Sequence, residues 1–135
     1  MSTVQRRRGL ADVGDDFRRF WAEQHLCTLT TLRPNGTPHV TPVGAVINWE
    51  TGTALVLTSA TSLKARNAGS TPTVALCSVD GRDWSTVEGT ARVRDEAEFV
   101  ADAERRYAER YRTPRANPHR VILEITITRV LGNVT

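Results

Sequence analysis

The chain has 135 residues, of which 39% are hydrophobic and 24% charged, and its net charge is +3. This length fits one domain with a small apolar core, and the composition excludes a wholly disordered chain. No apolar stretch approaches the roughly 20 residues that cross a bilayer, so a membrane-spanning helix is excluded. The mild positive charge permits an anionic partner without requiring one.

The N-terminal segment and the cysteines indicate a cytoplasmic protein. Residues 1–11 are polar and basic, and we predict a flexible arm ahead of a single cofactor-binding domain at 12–135. No apolar stretch follows the arginines of the arm, so it does not have the pattern of a signal peptide. Cys27 and Cys77 lie in apolar runs and are expected to be buried free thiols in a reducing compartment.

The first half of the domain is predicted to be a helix followed by a meander of strands. From Asp12 onward aromatic residues recur at helical spacing, and acidic residues crowd the first turn, as the helix dipole favours. Asn35-Gly36 predicts a hairpin turn. Because Pro42 cannot donate to a ladder, we expect an edge, a bulge or a bend there. The strands of this half are predicted over 26–32, 38–48 and 54–59.

The second half adds two helices and three strands. A short helix with a hydroxyl cap is predicted over 61–68, and Asp95 begins a longer one to about Tyr111. Gly89 inside a strand predicts a bulge or a close backbone approach. The strands of this half are predicted over 73–79, 84–94 and 121–131. Six short antiparallel strands with about three peripheral helices predict an α+β, mainly β fold, a closed or half-closed barrel.

The segment 57–67 carries the strongest candidate site. A strand ends in Thr58 and Ser59, and the helix that begins at once has Ser62 and Lys64 at its start. Helix N-terminal amides attract an anion, hydroxyls add donors, and a cation completes a phosphate cradle. An ordinary capped helix has the same pattern, so both interpretations stay open. Lys64 is the only lysine of the chain.

A second candidate is an arginine-rich stretch near a loop that two prolines stiffen. We interpret Arg105 and Arg106 as part of a solvated helix face. The arginines that flank the loop could bind a carboxylate-rich ligand, because loops carry function more often than helix faces. These loop arginines are Arg112, Arg115 and Arg120.

Several catalytic signatures are absent from the sequence, including the phosphate-binding loop, the dinucleotide fingerprint, H-E-x-x-H and C-x-x-C. We predict no metal site, because the histidines are scattered along the chain. Trp84, just after the Asp80-Gly81 turn, fits either a core position or a cover for a planar ligand.

Four segments taken together resemble one known family: 28–40, 58–67, 84–91 and 106–125. They resemble the pyridoxamine-phosphate-oxidase-like split β-barrel family. The last segment is similar to one branch of it, the actinobacterial coenzyme F420-dependent oxidoreductases of the biliverdin reductase type. The likeness covers nearly all of the chain from about Phe17 onward.

The resemblance implies a reductase that passes hydride from reduced F420, a deazaflavin, to a conjugated apolar acceptor, such as a biliverdin-like tetrapyrrole. It also implies a homodimer with two cofactor sites at the interface. By resemblance, Ser62 and Lys64 hold the cofactor phosphate. No residue stands out as an obligatory general acid, and Arg115 or a water could supply the proton or polarise the acceptor. The other implied cofactor contacts are Thr41, Pro42 and Val43 along the ring, Thr58, Ser59, Ala65, Arg66 and Asn67 at the cradle, and Val79 and Trp84 closing over the ring from the partner subunit.

Two other functions remain open. The first is an FMN-binding split barrel that acts as a flavin reductase or an electron carrier. F420 carries a glutamyl tail and FMN does not, so FMN would leave the arginines of the region 112–120 without a ligand group to bind. The stretch 43–46 and the C-terminus lack the basic motifs of true pyridoxamine phosphate oxidases, which places F420 ahead of FMN. The second is a small basic barrel that binds nucleic acid. Such a barrel needs exposed aromatic residues among its basic groups, whereas the aromatic residues of this chain cluster in helix stripes or at strand ends. We predict neither a nucleic-acid nor a membrane partner.

Overall fold

The computed structural model describes residues 9–135, and residues 1–8, most of the predicted arm, lie outside the described part. Leu10–Asp12 form one 3-10 turn, and Leu10 packs against the core. No helix within 9–135 is long and apolar enough to cross a membrane. The helices are α1 (Asp15–Ala22), α2 (Leu63–Ser70) and α3 (Ala97–Arg110). The strands are β1 (Cys27–Leu32), β2 (Pro38–Val43), β3 (Ala45–Asn48), β4 (Thr53–Ser59), β5 (Thr73–Asp80), β6 (Asp83–Arg94) and β7 (Arg120–Gly132).

All seven strands form one antiparallel sheet in the order β2-β1-β5-β6-β7-β4-β3. The two edge strands, β2 and β3, are separated along the chain by Gly44 alone. A single residue spans only a few ångströms, so the two edges of the sheet must meet there and the sheet curls into a half-closed barrel. The predicted mainly β architecture with three helices is confirmed.

The prediction of six strands was wrong by one, because the predicted strand 38–48 is two strands. The break lies at Gly44, where a Cβ atom would be 2.6 Å from Cε2 of Tyr107 on α3. The ring of Tyr107 therefore occupies the space of a side chain at the point where the chain leaves β2. Pro42 lies on the edge strand β2, opposite Thr28, as its missing N–H predicts.

The barrel encloses the main core, and α3 covers a smaller one. Phe17, Leu29, Leu76, Val87 and Ile125 are fully buried members of the main cluster. A second cluster beneath α3 contains Val46, Leu55, Ala103 and Ile122. Adjacent residues of β3 and β4 point to different cores, which is why both strands are buried on both faces.

The prediction of an irregularity at Gly89 and the prediction that both cysteines are buried have different outcomes. The predicted irregularity at Gly89 is confirmed, since the β6–β7 register shifts between Glu88 and Gly89. A Cβ at Gly89 would be 1.8 Å from the Thr126 carbonyl oxygen. Both cysteines are free, but only Cys27 is fully buried. Cys77 lies on the outward face of β5, where alternation leaves it half-buried.

Candidate functional site

The N-terminus of α2 forms a small hydroxyl network. Ser62 is its N-cap, and its Oγ accepts a hydrogen bond from the Ala65 N–H at 3.2 Å. Thr58, at the end of β4, donates to the same oxygen at 2.9 Å. Because first-turn amides have no intrahelical acceptor, those of Leu63 and Lys64 remain available to an anion. The predicted cradle residues Thr58 and Ser62 thus lie together at one helix terminus.

The other predicted cradle residues of α2 differ in exposure. Lys64 is half-buried and Arg66 is exposed, so both cations can meet a ligand. Ala65 is 4% exposed and packs into the core. Asn67 is 1% exposed, and its Nδ2 donates to Thr31 Oγ1 at 3.0 Å. The side chains of Ala65 and Asn67 therefore hold α2 against the barrel.

A hydrogen bond joins the cradle to the proline-stiffened loop. Asn117 Nδ2 donates to Ser59 Oγ at 2.9 Å, and the Ala60 N–H donates to the His119 carbonyl at 3.0 Å. Ser59 also lies opposite Arg120 in the β4–β7 register. The loop is thereby fixed beside the strand that ends in the cradle.

The loop forms one wall of a cleft of about 660 Å³, here named the arginine cleft. Its lining residues are Gly44, Leu57, Tyr107, Arg112, Thr113, Pro114, Arg115 and Arg120. Gly44 directly follows the predicted ring strand, and Leu57 directly precedes Thr58. The cleft therefore places the candidate catalytic residue Arg115 near the two segments predicted to hold the cofactor.

Arg120 is the buried cation of this cleft. Its side chain is 10% exposed, and its Nη1 donates to Glu104 Oε2 of α3 at 2.6 Å. Its Nε is buried and has no hydrogen-bond partner within residues 9–135. Arg112 and Arg115 are exposed.

The C-terminus of α3 is held by two polar side chains that support the cleft, the buried Arg110 and the half-buried Tyr111. Arg110 is 6% exposed and donates to the carbonyl oxygens of Glu23 at 2.8 Å and Ala45 at 2.6 Å. The Tyr111 hydroxyl donates to the His25 carbonyl at 2.8 Å and accepts from the Ala45 N–H at 3.2 Å. Burial, reinforced by the neighbouring Cys27 thiol, raises the pKa of Tyr111 above its usual range. Both residues fix Ala45, next to Gly44 at the rim.

The predicted ring strand leads into the arginine cleft at Gly44, whereas the predicted covering residues lie on another part of the barrel. Thr41 is half-buried, Pro42 is exposed and Val43 is 7% exposed, as the alternation of β2 requires. Val79 and Trp84 lie opposite each other on β5 and β6 and are 54% and 39% exposed. Trp84 is thus not a core residue. Ser85, next to Trp84, pairs with Gly132 at the C-terminal end of β7, whereas Ser59 of the cradle pairs with Arg120 at the other end of that strand. These two side chains and the cradle therefore do not come together in one protomer.

The described residues also contain site features that the sequence reasoning missed. Gly44 and Tyr107 form the floor of the arginine cleft, and Glu104 fixes Arg120. The only local signal was that Phe99, Ala103, Tyr107 and Tyr111 lie four residues apart, which indicates a packed helix face but not the residues it packs against. Among residues 9–135, no group of three or more His, Cys, Asp or Glu is arranged to hold a metal ion.

Comparisons with known proteins identify the family of the chain. Residues 13–133 match the profile of the pyridoxamine 5'-phosphate oxidase family. The chain is 47% identical over 121 residues to an F420H(2)-dependent biliverdin reductase of Mycobacterium tuberculosis, covering 90% of this chain and 88% of that protein.

Two solved structures share the fold at low sequence identity. The conserved hypothetical protein Rv2991 of Mycobacterium tuberculosis superposes with a TM-score of 0.77 at 24% identity, covering 94% of this chain and 89% of that one. A structure named F420 reductase superposes with a TM-score of 0.69 at 21% identity, covering 87% and 98%. The chain belongs to the pyridoxamine 5'-phosphate oxidase family and, within it, groups with the F420-dependent oxidoreductase of the biliverdin reductase type, as the sequence resemblance predicted.

Proposed function

We propose that this protein binds reduced coenzyme F420 and catalyses the two-electron reduction of a conjugated apolar acceptor of the biliverdin class. The observation that carries the proposal is the Asn117–Ser59 hydrogen bond of 2.9 Å, which joins the hydroxyl cradle to the loop of the arginine cleft. The 47% identical relative, named for the same cofactor and acceptor, supports this assignment.

The donor set of the cradle fits the phosphate of the cofactor. Thr58, Ser59 and Ser62 supply hydroxyls, the first turn of α2 supplies amides, and Lys64 supplies a cation. Such combinations bind phosphate through charge-assisted hydrogen bonds. Arg66 is exposed nearby on the same helix and adds positive charge.

Bound F420 would supply the hydride, and the chain's own residues would bind, orient and polarise. Thr41, Pro42 and Val43 are proposed to lie along the deazaflavin ring. Arg115 is proposed to polarise the acceptor as it gains electron density. A guanidinium does not deprotonate in proteins, so we assign the accompanying proton to water held in the cleft.

We also propose that the active form is a homodimer. The outward face of β1, β2, β5 and β6 carries the exposed side chains of Val40, Val79 and Trp84, of which Val79 and Trp84 are directly paired. Adjacent exposed apolar side chains are typical of protein interfaces. A second copy on this face would let Val79 and Trp84 of one subunit cover the site of the other. A cytoplasmic location is part of the proposal and is supported by the two free thiols.

An anaerobic assay tests the proposed reaction. The protein is mixed with reduced F420 and biliverdin, and the absorbance of both compounds is followed. We expect the two compounds to be consumed in equal amounts only when the protein is present, and no reaction when reduced FMN replaces F420. Oxidation of reduced F420 no faster than without protein would overturn the proposal.

FMN binding is the second candidate, because its phosphate would fit the same donors. The 47% identity to an F420-dependent relative favours F420.

A further inference from the structure

The arginine cleft contains a buried cation whose hydrogen-bonding capacity is only partly used. Arg120 is nine-tenths buried, and Glu104 accepts from its Nη1 at 2.6 Å. Its buried Nε has no partner within the described residues. Buried polar groups in folded proteins almost always have a hydrogen-bond partner. Because this Nε is also shielded from solvent, a ligand in the open cavity meets the terminal amino groups of Arg120, of which Glu104 accepts only from Nη1.

The charges of the cleft favour an anion at this position. Arg112 and Arg115 line the same cleft as Arg120. Three guanidinium groups against the single carboxylate of Glu104 leave a surplus of two positive charges. The planar fork of a guanidinium matches a carboxylate in geometry, with two parallel N–H donors for two oxygens.

Apart from Thr113, the rest of the lining is apolar or aromatic and indicates what the anion is attached to. Leu57, Pro114 and the ring of Tyr107 line the cleft, and Gly44 has no side chain to fill it. A ligand with an apolar body and a carboxylate arm suits this combination better than a free inorganic anion. The volume of about 660 Å³ is in the range of small-molecule pockets.

We propose that the arginine cleft is a carboxylate-binding subsite in which Arg120, held by Glu104, pairs with a ligand carboxylate. The identity of the ligand rests on the proposed function, which offers two sources of this group. One is a propionate of a tetrapyrrole acceptor, and the other is the glutamyl tail of F420. Glu104 is a positioning residue, because it contacts Arg120 and does not line the cleft.

Direct binding measurements distinguish the two sources. The probes are biliverdin and its dimethyl ester, and F420 and the same deazaflavin phosphate without its glutamyl tail. Arg120→Gln and Arg115→Gln each remove one charge from the cleft. Arg19→Gln is the matched control, since Arg19 is an exposed arginine of α1 that pairs with Asp16. Because Arg115 is exposed, Arg115→Gln is expected to fold, and it replaces Arg120→Gln in the test if that variant does not fold.

Each outcome bears on the proposal. If the acceptor supplies the carboxylate, the wild type prefers biliverdin to its ester by about ten- to a hundred-fold, the range of a charged hydrogen bond. Arg120→Gln then loses this preference and binds both deazaflavins as the wild type does. If the glutamyl tail of F420 supplies the carboxylate, the wild type prefers F420 to the deazaflavin without the tail, and Arg120→Gln loses that preference instead. Cleft variants that bind all four probes as tightly as Arg19→Gln would overturn the subsite. Failure of the proposed function is seen separately, as a wild type that does not bind F420.

Discussion

The ring of Tyr107 packs directly on Gly44, so closely that a Cβ at position 44 would lie 2.6 Å from its Cε2. This contact lies where the chain passes from one edge of the sheet to the other. It separates β2 from β3, and it forms the floor of the arginine cleft. One close approach therefore shapes both the barrel and the cavity.

Gly44→Ala tests this relationship. The added methyl group must displace the Tyr107 ring, and overpacking of this kind costs about 1–3 kcal/mol of unfolding free energy. Urea unfolding of wild type and variant measures the difference. Gly69→Ala is the control, because no atom lies within 4 Å of its added Cβ and alanine favours a helix. Equal stability of Gly44→Ala and the wild type would show that the ring moves freely.

Lys64→Ala tests the phosphate cradle. Removing the ammonium is expected to weaken F420 binding by about 1.5–3 kcal/mol, which is roughly a ten- to hundred-fold rise in Kd. A fluorescence titration with F420 measures this change. Arg92→Ala is the control, since Arg92 is exposed on β6 and pairs with Glu124. An unchanged affinity in Lys64→Ala removes the phosphate assignment.

Tyr111 is expected to make stability depend on alkaline pH. Its folded-state pKa is raised above the unfolded value of about 10, so the protonated phenol is favoured in the folded state. The stability it contributes is complete below about pH 10 and declines as the pH rises above that value. Urea midpoints between pH 8 and pH 11 measure the decline.

Tyr111→Phe separates this contribution from other titrations. The variant leaves the buried Ala45 N–H without its acceptor, which is expected to cost about 1–3 kcal/mol at neutral pH. Its midpoint should fall less steeply above pH 10 than that of the wild type. Identical pH profiles of the two proteins would contradict the role of Tyr111.

Val40→Asp tests the proposed dimer. Val40 is 59% exposed on the outward face of β2, and a buried aspartate without a partner would oppose association. We expect sedimentation velocity to show a shift from dimer to monomer. Val93→Asp is the control, because Val93 is 40% exposed but lies beyond that face, opposite the buried Leu123 of β7. A wild type that sediments as a monomer would overturn the proposed interface.

Local signals in the sequence were sufficient for much of the fold. The Ser62 cap and the Gly89 bulge depend on a residue and its immediate backbone, and both were predicted. The strand break at Gly44 was not, because it depends on Tyr107 far along the chain. Pro42 indicated an edge, a bulge or a bend in this strand, and the break itself lies two residues further on, at Gly44.

The candidate site was predictable to the same extent. The cradle is a local motif, and the structure brings Thr58 and Ser62 together as expected. The burial of Arg110 and Arg120 was not predictable, since nothing in the sequence distinguishes them from the exposed arginines of the same stretch. Their burial depends on carbonyls and a carboxylate from other elements, which only the folded chain brings near.

A pair of fluorescence titrations under identical buffer and salt, one with F420 and one with FMN, tests the central claim most directly. We expect tight binding of F420 and weak binding of FMN. Tight FMN and weak F420 binding would keep the fold and contradict the cofactor assignment. Binding of neither would contradict the proposed function as a whole.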